Sequence, residues 1–177
     1  MDEHSIMNFI KLYRHDLMNH LQLLTSYFSL GNSINAENKM NEIIHYYNEE
    51  RKLFSLNAPK LALYLLFFNH NYANKNLTYR IGVDNIDLSS EDHKLYCQNR
   101  QLVEFFKDKN VSVMYNWKLC INYCEENNAV KFSYSISNEQ IDELYIENIK
   151  ENNHFFYPVH VIKKQKSIIV YFFVPSK

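Results

Sequence analysis

Between residues 6 and 28 the side chains Ile6, Ile10, Tyr13, Leu17, Leu21, Leu24 and Phe28 recur at steps of three and four. That spacing is an a/d seam of about three heptads, and it commits the start of the chain to a long amphipathic helix. Gly31-Asn32-Ser33 ends the pattern, with Gly31 expected as a helix C-cap and Asn35 as the N-cap of a second helix. The second stripe, Met40, Ile43, Ile44, Tyr47, Leu53 and Phe54, runs to Asn57-Ala58-Pro59, where Pro59 suits the first turn of a further helix. Two long helices joined by a short turn form an antiparallel hairpin. Each helix has an apolar stripe but one intramolecular partner. Two hairpins from two chains, packed as a four-helix bundle, would cover both stripes, so a homodimer is expected; packing onto the rest of the chain is the alternative.

Beyond Pro59 the pattern changes. Residues 60–72 are expected as a strongly apolar helix, 77–86 as a strand, and 89–109 as a helix capped by Ser89 or Ser90, with Glu91 and Asp92 near its positive end. Residues 111–124 and 130–137 are expected as strands around a turn, with Val130, Phe132, Tyr134 and Ile136 alternating. A short helix at 139–150 and a hairpin of strands 155–162 and 167–174 complete the chain. Helices mixed with mainly antiparallel strands indicate an α+β class. The division expected is a helical hairpin, 1–57, followed by a second domain, 58–177.

Composition matters chiefly through glycine. The 177 residues include only two, Gly31 and Gly82, too far apart to share a loop. A P-loop, a dinucleotide fingerprint or a kinase glycine-rich loop needs clustered glycines, because backbone must approach phosphate closely or adopt positive φ. The formal net charge of −1 and the absence of a long basic run give no sign of a nucleic-acid partner. Lys163, Lys164 and Lys166, the densest basic cluster, are expected in a hairpin turn. The aromatic residues fall at helix and strand spacing and are expected as core. Cys97, Cys120 and Cys124 lack metal-ligand spacing and are expected as buried thiols in a reducing compartment. The start of the chain lacks a signal-peptide pattern, and its longest apolar run, 61–68, is too short to span a bilayer. A cytoplasmic protein with no membrane partner is expected.

One polar stripe does not fit a purely structural helix. With Tyr13, Leu17 and Leu24 inward, His15 lies about 200° around the helix from both Tyr13 and Leu17 and faces solvent. Asn8, Lys11, His15, Asn19, Gln22 and Ser26 share that outer face. His15 and Asn19 are i, i+4 neighbours, and Arg14 and Asp16 flank the imidazole with opposite charges. An imidazole is largely neutral near pH 7, and a neutral ring nitrogen can attack a phosphoryl group in line. A surface histidine without chemistry is the plain alternative. His20 lies near the seam and is expected to be partly buried and hydrogen-bonded. The remaining histidines show no spacing that suggests a metal site.

The segment R-H-D-L-M-N-H-L-Q, residues 14–22, resembles the phosphoacceptor motif of the sporulation initiation phosphotransferase B family, whose helical part is shared with sensor kinases of the citrate and dicarboxylate type. The likeness continues through L-N-A-P-K-L-A at 56–62, F-F-N at 67–69 and D-L-S at 87–89, and is loose beyond about residue 101. His20 stands where the family often has lysine. The resemblance implies a dimeric four-helix bundle carrying α/β domains that look like histidine-kinase ATP-binding domains but bind no ATP. It implies a relay in which one response regulator gives its aspartyl phosphate to His15, which passes it to the aspartate of a second. Asn19, Gln22 and Leu23 would fall where the family contacts the regulator, and Ser26 continues that face. Arg14 would steer the phosphate and Asp16 would hold the imidazole tautomer; both roles are read from charge and proximity. No cofactor is expected on this chain, and Mg2+ would sit in the regulator's acidic pocket. Two other readings remain: an autophosphorylating kinase fragment, disfavoured because no glycine follows Gly82, and a noncatalytic dimeric scaffold that sequesters response regulators.

Overall fold

The computed structural model describes residues 3–72, 74–84, 86–106, 114–137, 147, 149 and 155–175. The chain forms two compact units, Met1–Glu50 and Arg51–Lys177.

The first unit is helical. α1, Glu3–Ser29, and α2, Ser33–Phe54, are long helices joined by a tight turn. That turn is a Schellman motif: the Gly31 amide donates to the Phe28 carbonyl at 3.0 Å and the Asn32 amide to the Tyr27 carbonyl at 3.0 Å. Gly31 sits at φ +68°, the left-handed region the motif requires. The cap of α2 differs from expectation. Asn32, not Asn35, caps it, because the Asn32 Oδ1 accepts from the Asn35 amide at 3.2 Å. One asparagine therefore ends the first helix through its backbone and starts the second through its side chain. Gly31→Ala should lower stability by about 1 kcal/mol, since a Cβ penalises the left-handed conformation even where space is open. Urea unfolding followed by circular dichroism measures it.

Cross-helix pairs show the antiparallel register. The Tyr13 ring meets Tyr47 at 6.1 Å, the Tyr13 hydroxyl donates to Glu50 Oε1 at 2.9 Å, and the His20 ring lies 6.4 Å from that of Tyr46. Phe9, Tyr13, Leu17, His20, Leu24 and Tyr27 form the half-buried face of α1. Ile6, Ile10, Leu21 and Phe28, members of the same sequence stripe, are exposed, as are Met40 and Ile44 on α2.

The second unit is a mixed sheet with helices on one face. α3, Pro59–Leu66, and α4, Phe68–Asn71, replace the single helix expected at 60–72; the chain breaks at Phe67. β1, Lys75–Gly82, precedes α5, Asp92–Phe105, which a 3-10 turn at Ser89–Glu91 introduces. β2, Tyr115–Cys124, and β3, Ala129–Ser137, form one hairpin; β4, His160–Lys163, and β5, Ser167–Pro175, form another. The strand order is β1-β2-β3-β5-β4, with β1 and β2 parallel and the other pairs antiparallel. This is the α+β class expected. The helix expected at 139–150 and the end segments 107–109 and 111–113 lie outside the described residues, save Glu147 and Ile149.

The core takes one face of β1, β2, β3 and β5, with Leu77 and Ile81, Trp117 and Leu119, Phe132 and Tyr134, Val170 and Phe172; from β4 only the half-buried Val161 packs against it. α3 and α5 cover it with Leu61, Leu65, Leu95 and Leu102. Leu53, expected in the stripe of the hairpin, and Leu56 after it are fully buried in this core, and the compact units divide before them.

Side chains fasten the helices. Asp92 opens α5, as expected of an acid near its positive end, and its carboxylate also accepts from the Lys60 and Leu61 amides at 3.1 and 2.9 Å and caps α3 from outside. Neither Ser89 nor Ser90 caps α5, which starts without a side-chain cap. Asn69 pairs with both backbone groups of Leu77, tying α4 to β1. Gln98 does the same at Tyr157. Cys97 on α5 and Cys120 and Cys124 on β2 are free and half-buried rather than buried. Among the described residues no helix is long and apolar enough to cross a membrane.

Candidate functional site

The geometry of α1 sets the site. At about 100° per residue, Gln22 and Ser26 lie within about 20° of His15 around the axis, Asn19 at about 40° and Leu23 at about 80°. All five are exposed, with the His15 side chain 68% accessible. Arg14 and Asp16 stand on either side, both exposed, Asp16 at 74%. The rigid helix thus presents one imidazole on an open polar ridge, bounded by charges of opposite sign.

The two polar neighbours converge on one ring nitrogen. Asn19 Nδ2 is 3.1 Å from His15 Nδ1, and Asp16 Oδ1 is 3.4 Å from the same atom. A single nitrogen cannot both accept from an amide and donate to a carboxylate. With the proton on Nδ1, Asp16 accepts it and Asn19 must turn its amide oxygen inward; with the proton on Nε2, Asn19 donates and Asp16 gains nothing. Either way Nδ1 is the held nitrogen and Nε2 points away from both partners.

Farther along the ridge the polar groups are tied to the helix itself. The Ser26 hydroxyl donates to the Gln22 carbonyl at 2.8 Å and the Thr25 hydroxyl to that of Leu21 at 2.9 Å. These local bonds leave the Ser26 oxygen outward as an acceptor. Leu23 is an exposed apolar side chain beside the polar row, as are Leu12 and Met18.

Asp16 and Asn19 also edge a groove of about 350 Å3 lined by Tyr13, His20, Tyr46 and Tyr47. Sequence reading did not place the α2 tyrosines here; their only sequence signal is adjacency in the second apolar stripe. His20 is half-buried as expected, beside a tyrosine ring. Burial, then the Glu50 charge, pushes the Tyr46 and Tyr47 hydroxyls up from the ordinary tyrosine range. Burial, then the hydrogen bond to Glu50, raises Tyr13 as well. Glu50 itself is buried, its Oε2 has no hydrogen-bond partner, and burial raises its carboxyl above the ordinary value against the lowering effect of Tyr13. A carboxyl whose folded pKa is raised binds protons more tightly folded than unfolded. Stability from this group therefore falls as pH rises from about 4.5 through the raised value. Glu50→Gln should flatten that slope, as denaturant midpoints across this pH window would show.

Among the described residues no three His, Cys, Asp or Glu side chains converge as metal ligands. Lys163, Lys164 and Lys166 lie at the β4–β5 hairpin, where the Lys164 amide donates to the Ser167 carbonyl at 2.8 Å.

Known proteins can now be set beside this site. Residues 1–56 match the family described as sensor kinase SpoOB-type, alpha-helical domain. The chain is 35% identical over 99 residues to sporulation initiation phosphotransferase B of Bacillus subtilis (strain 168), a stretch covering 56% of this chain and 51% of the relative. The chain thus spans about half the length of the curated relative it matches. Among solved structures, histidine kinase ThkA in complex with response regulator protein TrrA is similar at 11% identity and a TM-score of 0.44, covering 96% of this chain and 61% of that one. The blue-light activated histidine kinase of Erythrobacter litoralis is similar at 7% identity and a TM-score of 0.43, covering 91% and 59%. The resemblance carried by residues 14–22 is met again in the match of residues 1–56 to the SpoOB-type helical domain and in the similarity of the chain to a sporulation phosphotransferase.

Proposed function

We propose that this protein is a phosphorelay phosphotransferase of a two-component system. His15 accepts a phosphoryl group from the aspartyl phosphate of one response regulator and passes it to the aspartate of a second. The observation that carries the reading is the arrangement at His15: an exposed imidazole on a rigid helix, with Asn19 and Asp16 both directed at Nδ1.

The chemistry follows from that arrangement. Asp16 accepts the Nδ1 proton, which leaves the lone pair on Nε2. Nε2 attacks phosphorus as the bond to the regulator's carboxylate oxygen breaks, and the carboxylate leaves. The phosphorylated ring gains positive character, which Asp16 offsets. Transfer onward is the same step reversed on another carboxylate. Arg14 steers the incoming phosphate. Asn19, Gln22, Leu23 and Ser26 form the face on which a receiver domain docks. Mg2+ is supplied by the regulator's acidic pocket.

The exposed stripe of Ile6, Ile10, Leu21 and Phe28 on α1, with Met40 and Ile44 on α2, supports a homodimer that closes a four-helix bundle. The second domain is a degenerate kinase-like fold that binds no ATP; this rests on the absence of any glycine after Gly82. The relay operates in the cytoplasm. A noncatalytic scaffold would need the docking face but not the imidazole with two partners at Nδ1, and for that reason it ranks second.

The test is to mix the chain with a phosphorylated receiver domain and assay the chain for acid-labile, alkali-stable phosphate. Its appearance supports the relay. Incorporation from ATP alone would favour an autokinase, and tight binding without incorporation would favour the scaffold.

A further inference from the structure

Among the described residues the sheet buries one face and leaves the other open, and the strand pairing places the open-face residues in rows. Arg80 pairs with Cys120, Cys120 with Ser133, Ser133 with Tyr171, and Tyr171 with His160. This row crosses all five strands. Lys118 lies in the row on one side and Lys131 in the row on the other. At the strand spacing of about 4.8 Å the cations fall within about 20 Å of one another.

No Asp or Glu occurs in any of the five strands. The nearest acids in sequence are Asp84, beyond the end of β1, and Glu125 and Glu126 in the β2–β3 turn. Arg80 and Lys118 are exposed, and Lys131 is half-buried. A chain with a net charge of −1 thus carries one broad face with three fixed cations and no opposing carboxylate on its strands. Like charges gathered without counter-charges cost stability unless a partner of opposite sign neutralises them.

We propose that the open face of the sheet is a docking surface for an acidic protein partner. Charge complementarity sets the sign of that partner. The arrangement of the rings sets its class. Tyr171 is already engaged by both neighbouring strands: His160 of β4 stacks on it at 4.9 Å and 19°, and the Lys131 ammonium of β3 lies 4.3 Å from its centroid. Phe173 stands edge-on to Tyr171 at 85°. Tyr171 is therefore not free for a nucleobase, and base stacking is what single-strand binders take from such sheets. Ile162, 47% exposed, and Ile169 in the Lys118 row add an apolar strip suited to a protein surface. The proposal is independent of the chemistry at His15, since every residue in it belongs to the sheet.

Fluorescence anisotropy of the full chain against a labelled polyglutamate peptide tests it, with oligouridine and phosphatidylserine vesicles as parallel probes. Saturable polyglutamate binding is expected, weakening about tenfold or more between about 50 and 200 mM salt. The double variants Arg80→Glu with Lys118→Glu, and Arg80→Gln with Lys118→Gln, should each weaken it at least about fivefold with unchanged circular dichroism. Lys164→Glu with Lys166→Glu, on the hairpin turn, should leave it unchanged. Tighter binding to oligouridine or to vesicles would overturn the proposal, as would equal binding by the charge-altered sheet variants or no saturable binding to polyglutamate.

Discussion

His15→Ala abolishes phosphate acceptance, lowering incorporation from a phosphorylated receiver domain by about 1,000-fold or more. The size follows from the role. The ridge holds no second imidazole: Asn19 and Gln22 are amides with no free lone pair of comparable basicity, and the Ser26 hydroxyl is bonded to the Gln22 carbonyl. Loss of folding cannot account for such a result. The side chain is 68% accessible and its bonds are to two neighbours on its own helix, so the substitution should change stability by about 0.5 kcal/mol or less. Asp16→Asn and Asn19→Ala separate the orienting roles from the nucleophile. Each should slow transfer by about tenfold to a hundredfold while leaving some incorporation, because the lone pair survives and only its tautomer and direction are loosened. Incorporation that fell equally in all three variants would argue that the ridge only binds.

The second large effect concerns assembly. Ile10→Glu combined with Leu21→Glu should convert a dimer into a monomer by analytical ultracentrifugation, with the helical circular dichroism largely retained. Both side chains are exposed in the single chain, at 51% and 43%, so nothing within the hairpin depends on them. In a twofold bundle each substitution acts twice. Four apolar side chains at about 1.5–3 kcal/mol each amount to several orders of magnitude in dissociation constant, before the cost of burying carboxylates is added. A wild-type chain that sediments as a monomer at micromolar concentration would remove the bundle from the account. The same would hold if the variant remained a dimer.

The parts of the molecule legible in sequence are those with local causes. The heptad spacing marks α1, the alternation of Val130, Phe132, Tyr134 and Ile136 marks β3, and Gly31 marks the turn. The ridge was legible for the same reason, because helical angle alone separates His15 from Tyr13 and Leu17. What sequence missed or misassigned has long-range causes. Asp92 does stand at the start of α5, but its second task, capping α3 through amides 31 and 32 residues away, has no sequence signal. Leu53 continued the stripe of α2 by period, but it ends in the core built on the sheet. Asn35 has the residue type of a cap, but the observed bond gives that place to Asn32. The break at Phe67 has no glycine or proline to announce it. The acid-free sheet face was invisible before pairing, since composition alone shows a nearly neutral chain and register decides which side chains share a surface.

The groove beside the ridge was missed for a related reason. Tyr46 and Tyr47 come to His20 and Tyr13 only through the antiparallel register of the hairpin. Its proximity to His15 makes the identity of the acceptor a question of position as well as chemistry, because His20 lies on the same helix and carries the same functional group.

Tandem mass spectrometry of the phosphorylated full chain, with fragmentation that preserves the phosphoramidate bond, decides the matter most directly. The account predicts a single phosphate on His15 after incubation with a phosphorylated receiver domain, lost on adding a second, unphosphorylated receiver. Phosphate on His20, on a carboxylate, or on any residue of the sheet domain would contradict it.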